Sequence, residues 1–188
     1  KTQLVATLAA IGVACAFAVQ STPHLPVGKE APDFKGVGSD GKEYSLKSLT
    51  SEGPAFVVFW KERCPHNATA SALFNSLHKA YGEKTKLVGF VNASDEGAKK
   101  WTDRFQLSYP LLSDASKATI GAYAVKYSIC TFQIGKDGKI EKVFPGYGKE
   151  TMDSLKIWGL PYDHRWCEKI DIRRYRRKVR MLTRDDLT

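Results

Sequence analysis

The chain has 188 residues, with 43% apolar and 26% charged residues, which is typical of one globular domain with terminal appendages. Its net charge of +9 is concentrated near the end, where nine Lys and Arg stand against four Asp and Glu from Arg165 onward. Cys15, Cys64, Cys130 and Cys167 form no C-x-x-C pair and no group with zinc-ligand spacing. These features argue against a disulfide framework or a zinc site, and we expect no metal and no other cofactor.

The first predicted element is a membrane anchor at residues 1–22, within which residues 4–19 are uncharged and almost wholly apolar. As a helix this segment spans about 24 Å, and its polar flanks extend it toward the ~30 Å core of a bilayer. The alternative is an uncleaved secretory signal. Small residues recur at every fourth position and predict a stripe on which a partner helix packs closely: Ala6, Ala10, Ala14 and Ala18.

Residues 27–155 alternate between strand and helix patterns and predict one α/β domain. The predicted elements are a hairpin around Asp40-Gly41, a strand at 56–60, a helix at 65–81, a strand at 86–92, a helix at 96–105, a helix or turn at 116–123, and a hairpin of strands at 131–134 and 139–144. This order predicts a mixed sheet flanked by helices.

Ordered motifs run through this domain, namely VGKEAPDF at 27–34, DGK at 40–42, FWKERCP at 59–65, YPLLSD at 109–114, GAYAV at 121–125 and KDGKI at 136–140. Together they resemble the redoxin family, which includes TlpA/ResA-like thioredoxins and alkyl hydroperoxide reductase/thiol-specific antioxidant (AhpC/TSA) proteins. The resemblance implies a thioredoxin fold over residues 27–155. Fold alone does not establish an activity.

Cys64 is the candidate catalytic thiol. It follows the predicted strand at 56–60 and begins the predicted helix, where backbone N–H groups stabilise a thiolate. Arg63 and His66 add positive charge beside it. The alternative is an inert, buried cysteine.

The resemblance also implies that this site is incomplete. Relatives that exchange disulfides carry Cys-Pro-His-Cys, whereas residues 64–67 read Cys-Pro-His-Asn, and Asn67 forms no disulfide. Ile129 aligns with the family's cis-proline and with the arginine of its peroxidases, and Lys61 aligns with the peroxidase threonine. Cys130, on a neighbouring predicted strand, is a candidate resolving thiol.

Residues 156–188 are predicted to form a basic, aromatic extension beyond the family resemblance. Its aromatic residues are Trp158, Tyr162 and Trp166, and the cations of its amphipathic helix are Arg173, Arg174, Arg176, Arg177, Lys178 and Arg180. Such a segment suits an anionic lipid surface or an acidic protein. The alternative is a helix packed on its own domain. Nucleic acid is disfavoured because no known reading module accompanies the extension.

Two functions follow from these patterns. The favoured one is a non-catalytic accessory subunit of a membrane protein complex, anchored by a single pass. The alternative is a membrane-tethered monothiol oxidoreductase or weak peroxidase that uses Cys64, so whether the chain is an enzyme stays open. Relatives of this type imply a domain in the periplasm, an organelle lumen or an equivalent compartment.

Overall fold

A computed structural model of the chain describes residues 24–81 and 86–147, apart from the side chains at 80 and 81. The predicted anchor at 1–22, with its alanine stripe, and the predicted extension at 156–188 lie outside the described residues. Within the described ranges, no helix has both the length and the apolar character that crossing a bilayer requires.

The described part of the chain contains seven strands and four helices. The strands are β1 (Lys35–Val37), β2 (Glu43–Ser45), β3 (Ala55–Trp60), β4 (Lys86–Val91), β5 (Leu111–Ser113), β6 (Cys130–Ile134) and β7 (Ile140–Pro145). The helices are α1 (Leu46–Thr50), α2 (Asn67–Tyr81), α3 (Asp95–Phe105) and α4 (Ala118–Ala122).

The main sheet has five strands in the order β5-β4-β3-β6-β7, and β1 and β2 form a separate hairpin. β3 lies at the centre, parallel to β4 and antiparallel to β6. All six of its residues are buried, as expected of a continuous apolar strand that is covered on both faces. The predicted mixed sheet with flanking helices is confirmed.

Alternate residues of β3 face two separate cores. Phe56, Val58 and Trp60 face the α2–α3 core, which also contains Phe74 of α2 and Trp101 of α3. On the opposite face lies the α1 core, which contains residues from β3, α1 and both neighbouring strands: Val57, Phe59, Leu46, Leu49, Val88 and Phe132. Both faces of the sheet are therefore covered. Residues that could take part in chemistry are accessible beyond the carboxyl end of β3.

The bounds of the predicted strands and helices agree with the structure to within about two residues, β5 was not predicted, and one difference at the start of α2 matters. The helix predicted at 65–81 begins at Asn67. The first helical hydrogen bond of α2 runs from the Ala70 N–H to the His66 carbonyl (3.0 Å). Residues 61–66 instead form turns between β3 and α2, so the prediction that Cys64 begins the helix is wrong.

Candidate functional site

Cys64 lies in a hydrogen-bonded turn after β3. Its N–H donates to the Lys61 carbonyl (3.2 Å), and its carbonyl accepts from the Asn67 N–H (3.1 Å). The Cys64 side chain is half-buried, and its flanking residues, Arg63 and Pro65, are exposed. The candidate thiol is thus accessible to solvent on a backbone that two local bonds hold in place.

Side chains from two other segments fix the start of this turn. The Oγ of Ser128 accepts a hydrogen bond from the Lys61 N–H (3.0 Å). The Oδ1 of Asn92, which follows β4, accepts from the Glu62 N–H (2.8 Å). Neither role was predicted, because the sequence does not indicate which loops converge on the end of β3.

Asn67 also holds the turn. It is 2% exposed, and its Nδ2 donates to the carbonyls of Lys61 (2.9 Å) and Glu62 (3.1 Å). The amide thereby gives the Glu62 carbonyl a partner and the Lys61 carbonyl a second one, beside the Cys64 N–H. Asn67 stands where the resembled motif has a second cysteine, so the position that supplies redox chemistry in that motif has a structural role in this chain.

Tyr147 and His66 form a hydrogen-bonded pair beside Cys64. The Tyr147 hydroxyl lies 2.8 Å from Nδ1 of His66. Partial burial raises the pKa of Tyr147, and the negative charge of the Cys64 thiolate raises it further. Tyr147 lies near Cys64 and His66 because the chain that leaves β7 passes beside the Cys64 turn. The sequence around Tyr147 contains no motif that predicts this contact.

Cys130 does not pair with Cys64 in the structure, and both are free thiols. Cys130 is 3% exposed and lies opposite Phe59 within the α1 core. That core covers the face of the sheet opposite α2. Burial raises the pKa of Cys130 to about 12, so this thiol stays protonated at neutral pH and is a poor nucleophile.

Ile129, which aligned with the family's cis-proline, follows a cis Ser128–Ile129 peptide bond. Its side chain is buried in the α2–α3 core, and its carbonyl accepts from the Gly146 N–H (2.6 Å). No three His, Cys, Asp or Glu side chains within residues 24–81 and 86–147 converge as metal ligands.

Residues 27–143 match the sequence model of the AhpC/TSA family. The chain belongs to the AhpC/TSA family. Within this family it is 30% identical over 135 residues to thiol-disulfide oxidoreductase ResA of Bacillus thuringiensis (strain Al Hakam), covering 70% of this chain and 76% of the relative. ResA of Geobacillus thermodenitrificans (strain NG80-2) is 29% identical over 124 residues, covering 65% and 71% of the two chains.

Solved structures give the same fold. The peroxidoxin BcpB of Mycobacterium tuberculosis aligns with a TM-score of 0.61 and 23% identity, over 70% of this chain and 97% of that one. The thioredoxin domain of a thiol-disulfide oxidoreductase from Bacteroides vulgatus aligns with a TM-score of 0.63 and 18% identity, over 72% and 99%. At these identities the likeness establishes the thioredoxin-like fold alone.

Proposed function

We propose that this AhpC/TSA-family chain is a membrane-tethered redoxin domain that serves as a non-catalytic subunit of a membrane protein complex. The observation that carries the proposal is Asn67. Thiol–disulfide exchange passes through a mixed disulfide, which a second thiolate must attack to release the product. Asn67 supplies no sulfur at that position, and its amide is already engaged with the Lys61 and Glu62 carbonyls.

The placement of Cys130 supports the same proposal. A resolving thiol must reach the sulfur of the first cysteine in a defined geometry. Cys130 is buried in the α1 core, with a pKa raised to about 12 by that burial. It is 3% exposed, so it offers no accessible thiol to resolve a mixed disulfide at Cys64.

Membrane tethering rests on the sequence. The apolar segment at 1–22 is proposed as the anchor, its small-residue stripe as the contact with a partner helix, and the basic extension at 156–188 as a contact with anionic lipid or an acidic subunit. The domain is proposed to lie in the periplasm, an organelle lumen or an equivalent compartment.

A second candidate function is monothiol redox chemistry at Cys64. It is favoured by the half-buried, solvent-accessible thiol and by the adjacent His66–Tyr147 pair. In this chemistry the Cys64 thiolate attacks one oxygen of a hydroperoxide, the S–O bond forms, the O–O bond breaks, and the departing alkoxide takes a proton from solvent and leaves as the alcohol. Two equivalents of an external thiol such as glutathione then return the sulfenic acid to the thiol, leave as a disulfide and release one water.

Turnover separates the two functions. The full chain in neutral detergent is assayed with hydrogen peroxide plus glutathione and with a model disulfide, beside Cys64→Ser. We expect the wild-type protein to show no sustained turnover above that of Cys64→Ser and to consume at most one equivalent of peroxide per Cys64. Asn67→Cys and free dithiothreitol are positive controls for dithiol turnover. Sustained turnover that disappears in Cys64→Ser would establish the monothiol function instead.

Assembly tests the accessory role directly. Native membranes are extracted in mild detergent, and the apparent mass of the particle that contains the chain is measured. Cys64→Ser should leave this mass unchanged, whereas Ala10→Leu with Ala14→Leu should lower it, because larger side chains keep helices apart. A chain that migrates alone in every variant contradicts the accessory role.

A further inference from the structure

A pocket of about 150 Å³ opens at the carboxyl ends of β3 and β4. Three exposed lysines line it: Lys61, Lys117 and Lys126. The pocket adjoins the Cys64 turn, because the Lys61 carbonyl is the acceptor for the Cys64 N–H. None of the residues that surround Cys64 on its other side, including His66 and Tyr147, belongs to it.

Within residues 24–81 and 86–147, the three lysines have no negative partner. No Asp or Glu lines the pocket, and the ion pairs within the described residues involve other lysines. The acidic residue beneath this region, Asp114, is buried, and its two carboxylate oxygens accept from the N–H groups of Thr119 and Ile120. Three ammonium groups therefore surround one opening without a counter-charge, which favours an anion there.

Two uncharged polar side chains of the pocket, those of Ser128 and Asn92, are also left as donors. Ser128 Oγ already accepts from the Lys61 N–H, and Asn92 Oδ1 already accepts from the Glu62 N–H. The Ser128 hydroxyl proton and the Asn92 Nδ2 group have no acceptor among the described residues. A ligand that brings oxygen acceptors suits this set of donors, whereas a cation or a further donor does not.

The base of the pocket is apolar. Ile120 and Val125 supply its accessible apolar surface, since both are half-buried, whereas Phe59 and Trp60 close it from below with side chains that pack into the two opposite cores. An inorganic anion leaves this surface uncovered, while an anion with a hydrocarbon body contacts both the apolar base and the ammonium groups.

We infer that this pocket binds an organic carboxylate. Two sources share that chemistry: an Asp or Glu side chain next to an apolar residue in a protein segment, and a free small organic acid. Binding of this ligand goes beyond the proposed function and needs no reaction at Cys64, so the result is independent of the turnover assay.

The test uses the full chain in neutral detergent and a Leu-Glu-Leu peptide amide that carries an uncharged coumarin label on its N-terminus, with binding followed by fluorescence anisotropy at fixed ionic strength. The matched probe is the Leu-Gln-Leu amide, which keeps the shape and removes the charge. The pocket variant is Lys117→Gln with Lys126→Gln. The control variant, Lys47→Gln with Lys99→Gln, removes the same charge from exposed positions on α1 and α3.

We expect the acidic peptide to bind more tightly than the neutral one, and the pocket variant to bind it roughly tenfold more weakly than the control variant. Competition by glutarate distinguishes the two sources of the carboxylate. If glutarate displaces the labelled peptide at concentrations similar to those at which the unlabelled peptide does, the ligand is a free acid. If much higher glutarate concentrations are needed, the ligand is a protein segment. Equal binding of both peptides, or equal affinity of the pocket and control variants, overturns the inference. The second result is also the one expected if the peptide binds the basic extension.

Discussion

Asn67 shows how one substitution changes both the chemistry and the local structure of a site. In the Cys-Pro-His-Cys motif that the chain resembles, this position provides a thiol. Here the same position provides an amide that bridges two consecutive carbonyls at the end of β3. The turn that presents Cys64 therefore depends on a side chain that cannot take part in disulfide exchange.

Asn67→Ala is expected to destabilise the protein. The substitution removes the partner of the Glu62 carbonyl and one of the two partners of the Lys61 carbonyl. Losing such bonds at a buried position lowers the free energy of unfolding by about 1–3 kcal/mol. Urea unfolding followed by circular dichroism measures this. Thr69→Ala, an exposed position on the same helix, is the control and should stay within about 0.5 kcal/mol of wild type; equal effects of the two variants contradict the role assigned to Asn67.

Among the elements, β3 was predicted best and the segment after it least well. The run at 56–60 predicts a strand buried on both faces, and β3 is such a strand. A continuous apolar run of this length is too short for a typical buried helix and fits a buried strand. The segment at 64–67 follows no periodicity. The residues just before it are held by long-range bonds that the N–H groups of Lys61 and Glu62 donate to Ser128 and Asn92, which a local pattern does not encode.

The same limit applies to the candidate site. Cys64 and His66 were predicted as site residues because the motif that carries them is contiguous in the sequence. The contact of Tyr147 with His66 was not predicted because the two residues are 81 positions apart. Cys130 was considered a partner because its strand neighbours β3, which is correct, but strand adjacency does not specify the face on which a side chain lies.

The pairing of β4 with β5 depends on a residue without a side chain. A Cβ at Gly89 would lie 2.7 Å from Cδ1 of Leu111 and 3.2 Å from Nε1 of Trp60. Both neighbours are fully packed in the α2–α3 core. Neither can move away without disturbing that core.

Gly89→Ala should therefore lower the free energy of unfolding by about 1–3 kcal/mol, the usual effect of overpacking. Gly121→Ala is the matched control, because a Cβ at Gly121 in α4 has no neighbour within 4 Å and alanine is the better helix former. The midpoint temperatures of thermal unfolding of the two variants, compared with wild type, measure this difference. A Gly89→Ala protein as stable as Gly121→Ala would mean that β5 shifts to make room.

Across the domain, the double-sided core has a consequence for its stability at alkaline pH. Burial raises the pKa values of Cys130, Tyr109 and Tyr123, and that of Cys130 rises from 9.0 to about 12. In the unfolded chain these groups lose their protons at lower pH than in the folded domain. Their contribution to stability is thus fully present below the unfolded pKa and is lost as the pH rises toward the folded one.

For Cys130, the pH range over which this stability is lost runs from about pH 9 to about pH 12. Each pH unit within it removes about 1.4 kcal/mol of stability, so about 2 kcal/mol is lost by roughly pH 10.5. The free energy of unfolding in urea, measured under reducing conditions between pH 8 and 10.5, should fall less in Cys130→Ala than in wild type by that amount. The packing lost with the sulfur shifts both ends of the variant's curve equally, so only the slope reports on the thiol. Parallel curves for the two proteins would mean that the Cys130 thiol ionises as readily inside the α1 core as in the unfolded chain.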